Sequence, residues 1–334
     1  RDIRTCLGFG EDCQFIAGFD RPNLFLQVSP KAHPYRQTLA MIQRHAGRPG
    51  IVYCATRRQV DLLGERLAAD GIAALPYHAG LPDDVRHKHQ ERFSRDDVQV
   101  MVATVAFGMG IDKSNIRFVV HHDLPKNIES YYQEVGRAGR DGLRSECLLL
   151  FSLGDAHKVK HFIRQKEGRE MVAANLQLNA MIDFAQSEVC RRIPLMAYFG
   201  ETYDRTPCRM CDVCARGERP AQDLTIPAQK FLSCVKRTGE TFGCAHVIDV
   251  LRGSNAAKVK RFAHDRLSTY GIGMELSKDQ WRQLARQLLH KGLMTRDPAH
   301  GSVALTEKAW KVLRKEEPFH GLLDETSRPE PDQA

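Results

Sequence analysis

Tyr131 to Gly142 reads Tyr-Tyr-Gln-Glu-Val-Gly-Arg-Ala-Gly-Arg-Asp-Gly, a glutamine, two arginines and two acids set among three glycines. Arginine carries a permanent charge on a planar fork that matches phosphate oxygens. Delivered to a phosphoryl group in transfer, such a fork is worth roughly 10³ to 10⁵ in rate. Arg137 and Arg140 are three apart and are expected to project from one side of a helix. Alone, the stretch also fits a solvated basic loop, so its surroundings decide the reading.

Upstream, Val102 to Ile111 is an apolar run that ends in small residues, with Gly108 and Gly110 just before Asp112. Backbone there can come close to a ligand. Ile51 to Cys54 is another apolar run, followed by Thr56 and Arg57, and Tyr77-His78-Ala79-Gly80 follows a further short strand. Strand-like runs at Ile51 to Cys54, Val98 to Ala103, Phe118 to His121 and Leu148 to Phe151 alternate with helical spacing, as for Val60, Leu63 and Leu67 within Gln59 to Asp70. Alternation of this kind predicts an α/β domain whose parallel sheet is covered by helices on both faces. Ligands of such sheets sit beyond the carboxyl ends of the strands, where the Gly108–Gly110 turn falls.

The wording of three blocks is more specific: Phe19-Asp20-Arg21-Pro22-Asn23, Ala106-Phe107-Gly108-Met109-Gly110-Ile111-Asp112-Lys113, and Gln133 to Gly142. Together they resemble the second motor domain of superfamily 2 helicases, and most closely the RecQ family of ATP-dependent DNA helicases. The resemblance implies a RecA-like domain over residues 26–152, preceded at 1–25 by a connector from a first motor domain that lies outside this sequence. It implies ATP and Mg²⁺, with Arg140 as arginine finger and Arg137 beside it on phosphate or neighbouring carboxylates. Gln133 would sense the γ-phosphate or the attacking water. Gly108, Gly110 and Asp112 would line the nucleotide site, and Arg57 and Thr104 would face the DNA backbone. It also implies 3′-to-5′ movement and work in repair and recombination. No Gly-x-x-x-x-Gly-Lys-Ser/Thr loop and no Asp-Glu-x-His block occurs in the 334 residues. These residues alone are therefore expected not to hydrolyse ATP. The rivals are a non-catalytic DNA-binding protein with a degenerate motor domain, and a related translocase or RNA helicase.

Residues 153–220 change character. Asp155 to Lys166 and Met171 to Glu188 read as helices, the second with an apolar stripe of Leu178, Met181, Ile182 and Ala185. Cys190 is followed by Cys208, Cys211 and Cys214, whose two successive Cys-x-x-Cys steps place thiolates on a tight turn. A closed tetrahedron of four thiolates points to structural zinc rather than to redox chemistry or disulfides. RecQ proteins resemble this stretch too, through Cys190-Arg191-Arg192 and Tyr198-Phe199-Gly200-Glu201, which implies their helical zinc-binding platform. The other six of ten cysteines are scattered, which fits a reducing compartment, bacterial cytoplasm or eukaryotic nucleus, better than a disulfide scaffold.

Residues 221–316 carry 17 Lys and Arg against 9 Asp and Glu, so they hold a local excess as large as the whole chain's +8. Such a concentration is the electrostatic footprint of a polyanion-binding surface. Ser277 with Gln280 is a capping box, and Trp281, Leu284, Ala285, Leu288 and Leu289 share one helical face. Strands at Leu293 to Arg296 and Val303 to Leu305, joined through Pro298 to Gly301, complete the pattern of a winged helix, the module that RecQ proteins place here. Lys258, Lys260, Arg261, Arg266, Arg282, Arg286 and Lys291 are its candidate phosphate contacts. His246 and His264 read as packing or capping residues. Residues 317–334 turn acidic and proline-rich and are expected to be disordered. The expected partners are single-stranded DNA at the motor, duplex DNA at the winged helix, the first motor domain and a single-stranded DNA-binding protein. No apolar run approaches the roughly 18 residues of a membrane span.

Overall fold

The computed structural model describes residues 18–105, 107, 112–217, 220–297 and 300–323. Gly108, Gly110, the first 17 residues, Pro298 in the wing turn and residues 324–334 lie outside the described residues. The chain divides into two units, one of residues up to Glu167 with Gln177–Gly217, the other of Gly168–Leu176 with the stretch from Glu218 on.

The first unit is built on six parallel strands: β1 (Leu24–Pro30), β2 (Gly50–Tyr53), β3 (Ala74–Tyr77), β4 (Val100–Ala103), β5 (Phe118–His121) and β6 (Ser145–Phe151), in the spatial order β1-β6-β5-β2-β4-β3. The central strands β2, β4 and β5 are buried along their whole length. Both of their faces are therefore covered, as the uninterrupted apolar runs foretold. Val52, Val100, Val102, Phe118 and Val120 pack against Met41, Ile42, Val60, Leu63 and Leu67 from the helices Pro34–Arg44 and Arg57–Ala69. The chain crosses from β4 past β2 to β5, so winding reverses about β2 and opens a crevice at the carboxyl ends of the neighbouring strands.

Two expected boundaries move. Part of the stretch read as a connector belongs to the sheet, because β1 starts at Leu24 and pairs residue by residue with β6 from Leu24↔Ser145 to Pro30↔Phe151. The helix expected from Asp155 runs Leu153–Ile163, capped by Ser152, whose side chain accepts from the Asp155 amide. The next helix runs Gly168–Ala185, burying Leu178, Met181, Phe184 and Ala185.

The second unit has helices Thr225–Arg237, Cys244–Leu251, Ala257–Arg261, Lys278–His290 and Glu307–Leu313 around one core that includes Phe231, Leu232, Val247, Trp281, Leu284 and Leu288. Both halves of the capping box form: the Gln280 amide donates to Ser277 Oγ at 3.2 Å and the Ser277 amide to Gln280 Oε1 at 2.9 Å. Trp281 donates to the Gly273 carbonyl at 2.7 Å. A Cβ at Gly273 would stand 2.7 Å from the indole, so only glycine fits. The wing is an antiparallel pair, β7 (Met294–Arg296) and β8 (Val303–Leu305). The expected disorder beyond residue 316 is overturned as far as residue 323. Phe319 is buried in the core, and His320–Gly321 pairs antiparallel with Gln222–Asp223. One buried aromatic ring outweighs the polar composition around it. Among the described residues no helix is long and apolar enough to cross a membrane.

Candidate functional site

Side chains with phosphate chemistry gather at the carboxyl ends of the strands. Helix Ile128–Val135, capped by the Asn127 side chain on the Ser130 amide, ends before Gly136. Arg137 and Arg140 therefore sit on the turn beyond it, not on one helical face as the spacing suggested. Two glycines in the run explain the early stop. Gly139 takes φ +57°, and a Cβ on it would clash with the Asn23 side-chain nitrogen Nδ2 and lie 2.8 Å from the Leu143 carbonyl oxygen. The turn is clasped by residues more than a hundred positions earlier. Arg21 donates to the carbonyls of Gly136, Ala138 and Gly139, and Asn23 donates to those of Gly139 and Leu143.

Gln133 is exposed on the last turn of that helix, Arg137 is half-buried, and Arg140 is exposed. Arg140 Nη1 stands 3.1 Å from Asp112 Oδ1, the carboxylate being almost wholly in solvent. A pair so exposed contributes little stability and exchanges readily for a stronger anion. Below the turn, His121 Nε2 and Glu134 Oε2 meet at 2.7 Å in a buried pair, with Tyr53 stacked on His121. Burial and then the Glu134 charge push the Tyr53 hydroxyl up, while Arg137 and Arg140 work the other way, so both guanidiniums act on this strand end.

After β2, Thr56 caps the helix that opens with the exposed Arg57. Arg57 lies over Gly80, whose added Cβ would meet its Nη1 at 3.3 Å. The Gly80 amide donates to His78 Nδ1 at 3.1 Å, and His78 Nε2 in turn meets Asp61 at 2.8 Å. Thr104 follows β4, its amide bonded to the Tyr77 carbonyl. Asp123, after β5, takes Lys31 at 2.7 Å, and the same ammonium reaches Asp155 at 2.8 Å. Burial raises the Asp123 carboxyl, but hydrogen bonds from His122, Lys31 and the Ala55 amide, with the Lys31 charge, hold it well below the usual carboxylate range. The Lys31 bridge, Arg21 and Asn23 have roles that the sequence did not reveal, although Arg21 and Asn23 stand in a block whose wording was already distinctive.

The Sγ atoms of Cys190, Cys208, Cys211 and Cys214 all lie within 4.8 Å of one another. The Met210 amide approaches Cys208 Sγ and the Cys214 amide approaches Cys211 Sγ, both at 3.4 Å, the support that thiolate ligands need. Hydrogen bonding from Cys190 holds the Cys211 thiol below its ordinary range, with burial opposing and the amides of Cys214 and Arg191 adding to it. Four converging soft donors suit tetrahedral zinc. The cysteine loop is fastened to β1: the Leu26 amide donates to the Met210 carbonyl at 3.1 Å, and Asp212, bonded to the Val28 amide, takes Arg191 through both carboxylate oxygens at 2.8 and 2.9 Å. Arg192, 2% exposed, reaches Asp20, the carbonyls of Arg21, Leu24 and Met210, and lies 3.6 Å from Cys208 Sγ.

In the second unit Lys258, Lys260, Arg261 and Arg266 are exposed and close in sequence. Arg282 and Arg286 are half-buried, Arg282 with Asp279 at 2.6 Å, and Lys291 is tied to the His320 carbonyl at 2.5 Å. His246 and His264 do pack, but also bond each other, Nε2 to Nδ1 at 2.8 Å.

Three family models match the chain in succession: the helicase conserved C-terminal domain over residues 33–142, RecQ zinc-binding over 153–215 and the RQC domain over 218–329. The ATP-dependent DNA helicase RecQ of Pasteurella multocida is 43% identical over 325 residues, which are 96% of this chain and 51% of that protein. Its namesake in Haemophilus influenzae is 42% identical over 96% of this chain and 52% of its own length. The Bacillus subtilis protein of the same name is 47% identical over 81% of this chain and 46% of its own. The chain thus spans about half the length of the curated relatives it matches. With the three domains in this order on one polypeptide, the chain belongs to the RecQ family.

Proposed function

We propose that this chain is the second motor lobe, zinc module and duplex-binding module of an ATP-dependent 3′-to-5′ DNA helicase acting in repair and recombination. The observation that carries the reading is the arginine turn. Arg140 is displayed at the carboxyl edge of a parallel sheet, from a turn that Arg21 and Asn23 hold by five hydrogen bonds to backbone carbonyls, while its own carboxylate partner is solvated. A guanidinium so placed meets a nucleotide presented by a facing lobe that carries the phosphate loop. Gln133 lies close by for the γ-phosphate or attacking water, with Asp112 toward the ribose. ATP binding between lobes draws them together and hydrolysis releases them, so an alternating grip on a single strand becomes stepping. Arg57 and Thr104, at neighbouring strand ends, are assigned to that strand's backbone. The basic second unit is assigned to the duplex, and the four cysteines hold zinc, whose binding free energy stabilises a module with little core of its own. A single-stranded DNA-binding protein is the expected partner for the displaced strand.

The test compares DNA-stimulated ATP turnover and strand separation by the full-length gene product with those of these 334 residues alone. Turnover and unwinding in the former, with DNA binding only in the latter, is the expected result. Tight DNA binding by the full-length product without turnover would favour a non-catalytic DNA-binding protein with a degenerate motor.

A further inference from the structure

We propose that Phe262 is a stacking site for an unpaired nucleobase on the basic face of the second unit. The proposal deepens the duplex-binding reading above and rests on it.

Phe262 follows the helix Ala257–Arg261 and is 46% exposed, whereas Phe231, Trp281 and Phe319 in the same unit are buried. Backbone conformation helps set its place. Ala263, the next residue, has φ 55° and ψ 29°, a left-handed conformation that residues with a Cβ rarely adopt. Strain of this kind persists where the surroundings enforce it and is concentrated at binding sites. Ring contacts hold Phe262 from the protein side. The rings of Phe242 and Phe262 meet at 4.9 Å and 76°, and Phe242 stacks on the buried His246 at 4.2 Å and 23°. His246 in turn is bonded to the buried His264. Four rings thus form one connected cluster with Phe262 at its exposed end.

The setting decides what the ring takes. Lys258 Nζ lies 5.3 Å from the Phe242 ring and Arg261 Cζ 5.7 Å from the Phe262 ring, while Lys260 and Arg266 are exposed on the same short segment. Asp265 is the one acid between Lys258 and Arg266. An apolar protein surface has no use for four cations, and a phosphate backbone alone has no use for the ring. A nucleotide uses both, phosphate on the cations and base face on the ring. In a duplex the base faces are covered by their neighbours, so the ring selects an unpaired base at a junction. The site would then tell the margin of a duplex from its interior, which phosphate contacts by themselves do not.

The experiment measures binding of all 334 residues to labelled DNA by anisotropy. The DNAs are a fully paired duplex, the same duplex with a short unpaired tail, and the tailed duplex with an abasic unit at the junction. Phe262→Ala is expected to weaken the tailed duplex about tenfold, to change the paired duplex little, and to leave the salt dependence as it was. Phe262→Trp should keep the tight binding, and the abasic DNA should bind wild type and Phe262→Ala alike. Equal weakening on all three DNAs, or no change on any, would overturn the proposal while leaving duplex binding intact. Failure of the wild-type chain to bind even the paired duplex would remove the reading beneath it as well. Unfolding midpoints of both variants separate loss of the ring from loss of the fold.

Discussion

Neighbouring residues of one chemical type can do unlike work. Arg191 and Arg192 read as a single basic pair in the sequence. Yet Arg191 closes a two-pronged bridge to Asp212 and takes three carbonyls at the end of the helix that stops at Ala185. Arg192 instead ties the cysteine loop to residues about 170 positions earlier. The four-cysteine cluster was legible because its spacing is local: two tight Cys-x-x-Cys steps leave the thiolates few other arrangements. The arginines that frame it were not, since nothing near Arg192 in the sequence names Asp20 as its partner. Asp212→Ala leaves the Arg191 guanidinium, whose side chain is 4% exposed, with carbonyl acceptors but no carboxylate. Removing one partner of a buried pair costs about 3–5 kcal/mol. The unfolding midpoint of the first unit should fall sharply, and a chelator should strip zinc from the variant faster than from wild type. An unchanged midpoint would show that the bridge is not what holds the loop to β1.

Elements were readable where their signals are self-contained. The Ser277 capping box and the apolar stripe behind it announced a helix that forms as expected. Strand β1 escaped because its partner, β6, lies about 120 residues on and its own pattern is half-exposed. The segment after residue 316 escaped because a composition of acids and prolines hides the single ring, Phe319, that anchors it. The helix Cys244–Leu251 carries a pH dependence that its sequence conceals. Burial first, then the neighbouring His264 and Lys258, lower His246 to about 4 against its ordinary 6.5. The unfolded chain therefore takes up a proton before the folded one does. Stability from this group is whole above 6.5 and is lost as pH falls toward 4. Melts of the second unit at pH 7 and pH 5 should show a lower midpoint at pH 5, and His246→Phe should flatten that difference. A midpoint that rises on acidification would contradict the neutral pair.

At the scale of the whole molecule, charge is sorted by module, with the local excess carried by residues 221–316. A phosphate-led interface releases counterions, so the logarithm of affinity for duplex DNA should fall linearly with the logarithm of salt concentration. Replacing both Lys258 and Lys260 by alanine should reduce that slope by about 2. A slope insensitive to these two would move the interface elsewhere on the unit. The order of modules was legible from end to end, because each has its own local signature. What the sequence could not give is the clasp of Arg21 and Asn23 on the arginine turn, which joins two blocks more than a hundred residues apart.

The proposed delivery of a guanidinium by this turn to a transferring phosphate is the central step of the motor. Its most direct test is steady-state ATP turnover on single-stranded DNA by the full-length gene product carrying Arg140→Ala. Turnover should fall by about 10³ or more, with nucleotide still bound. Turnover at the wild-type rate with both Arg137 and Arg140 replaced by alanine would contradict it.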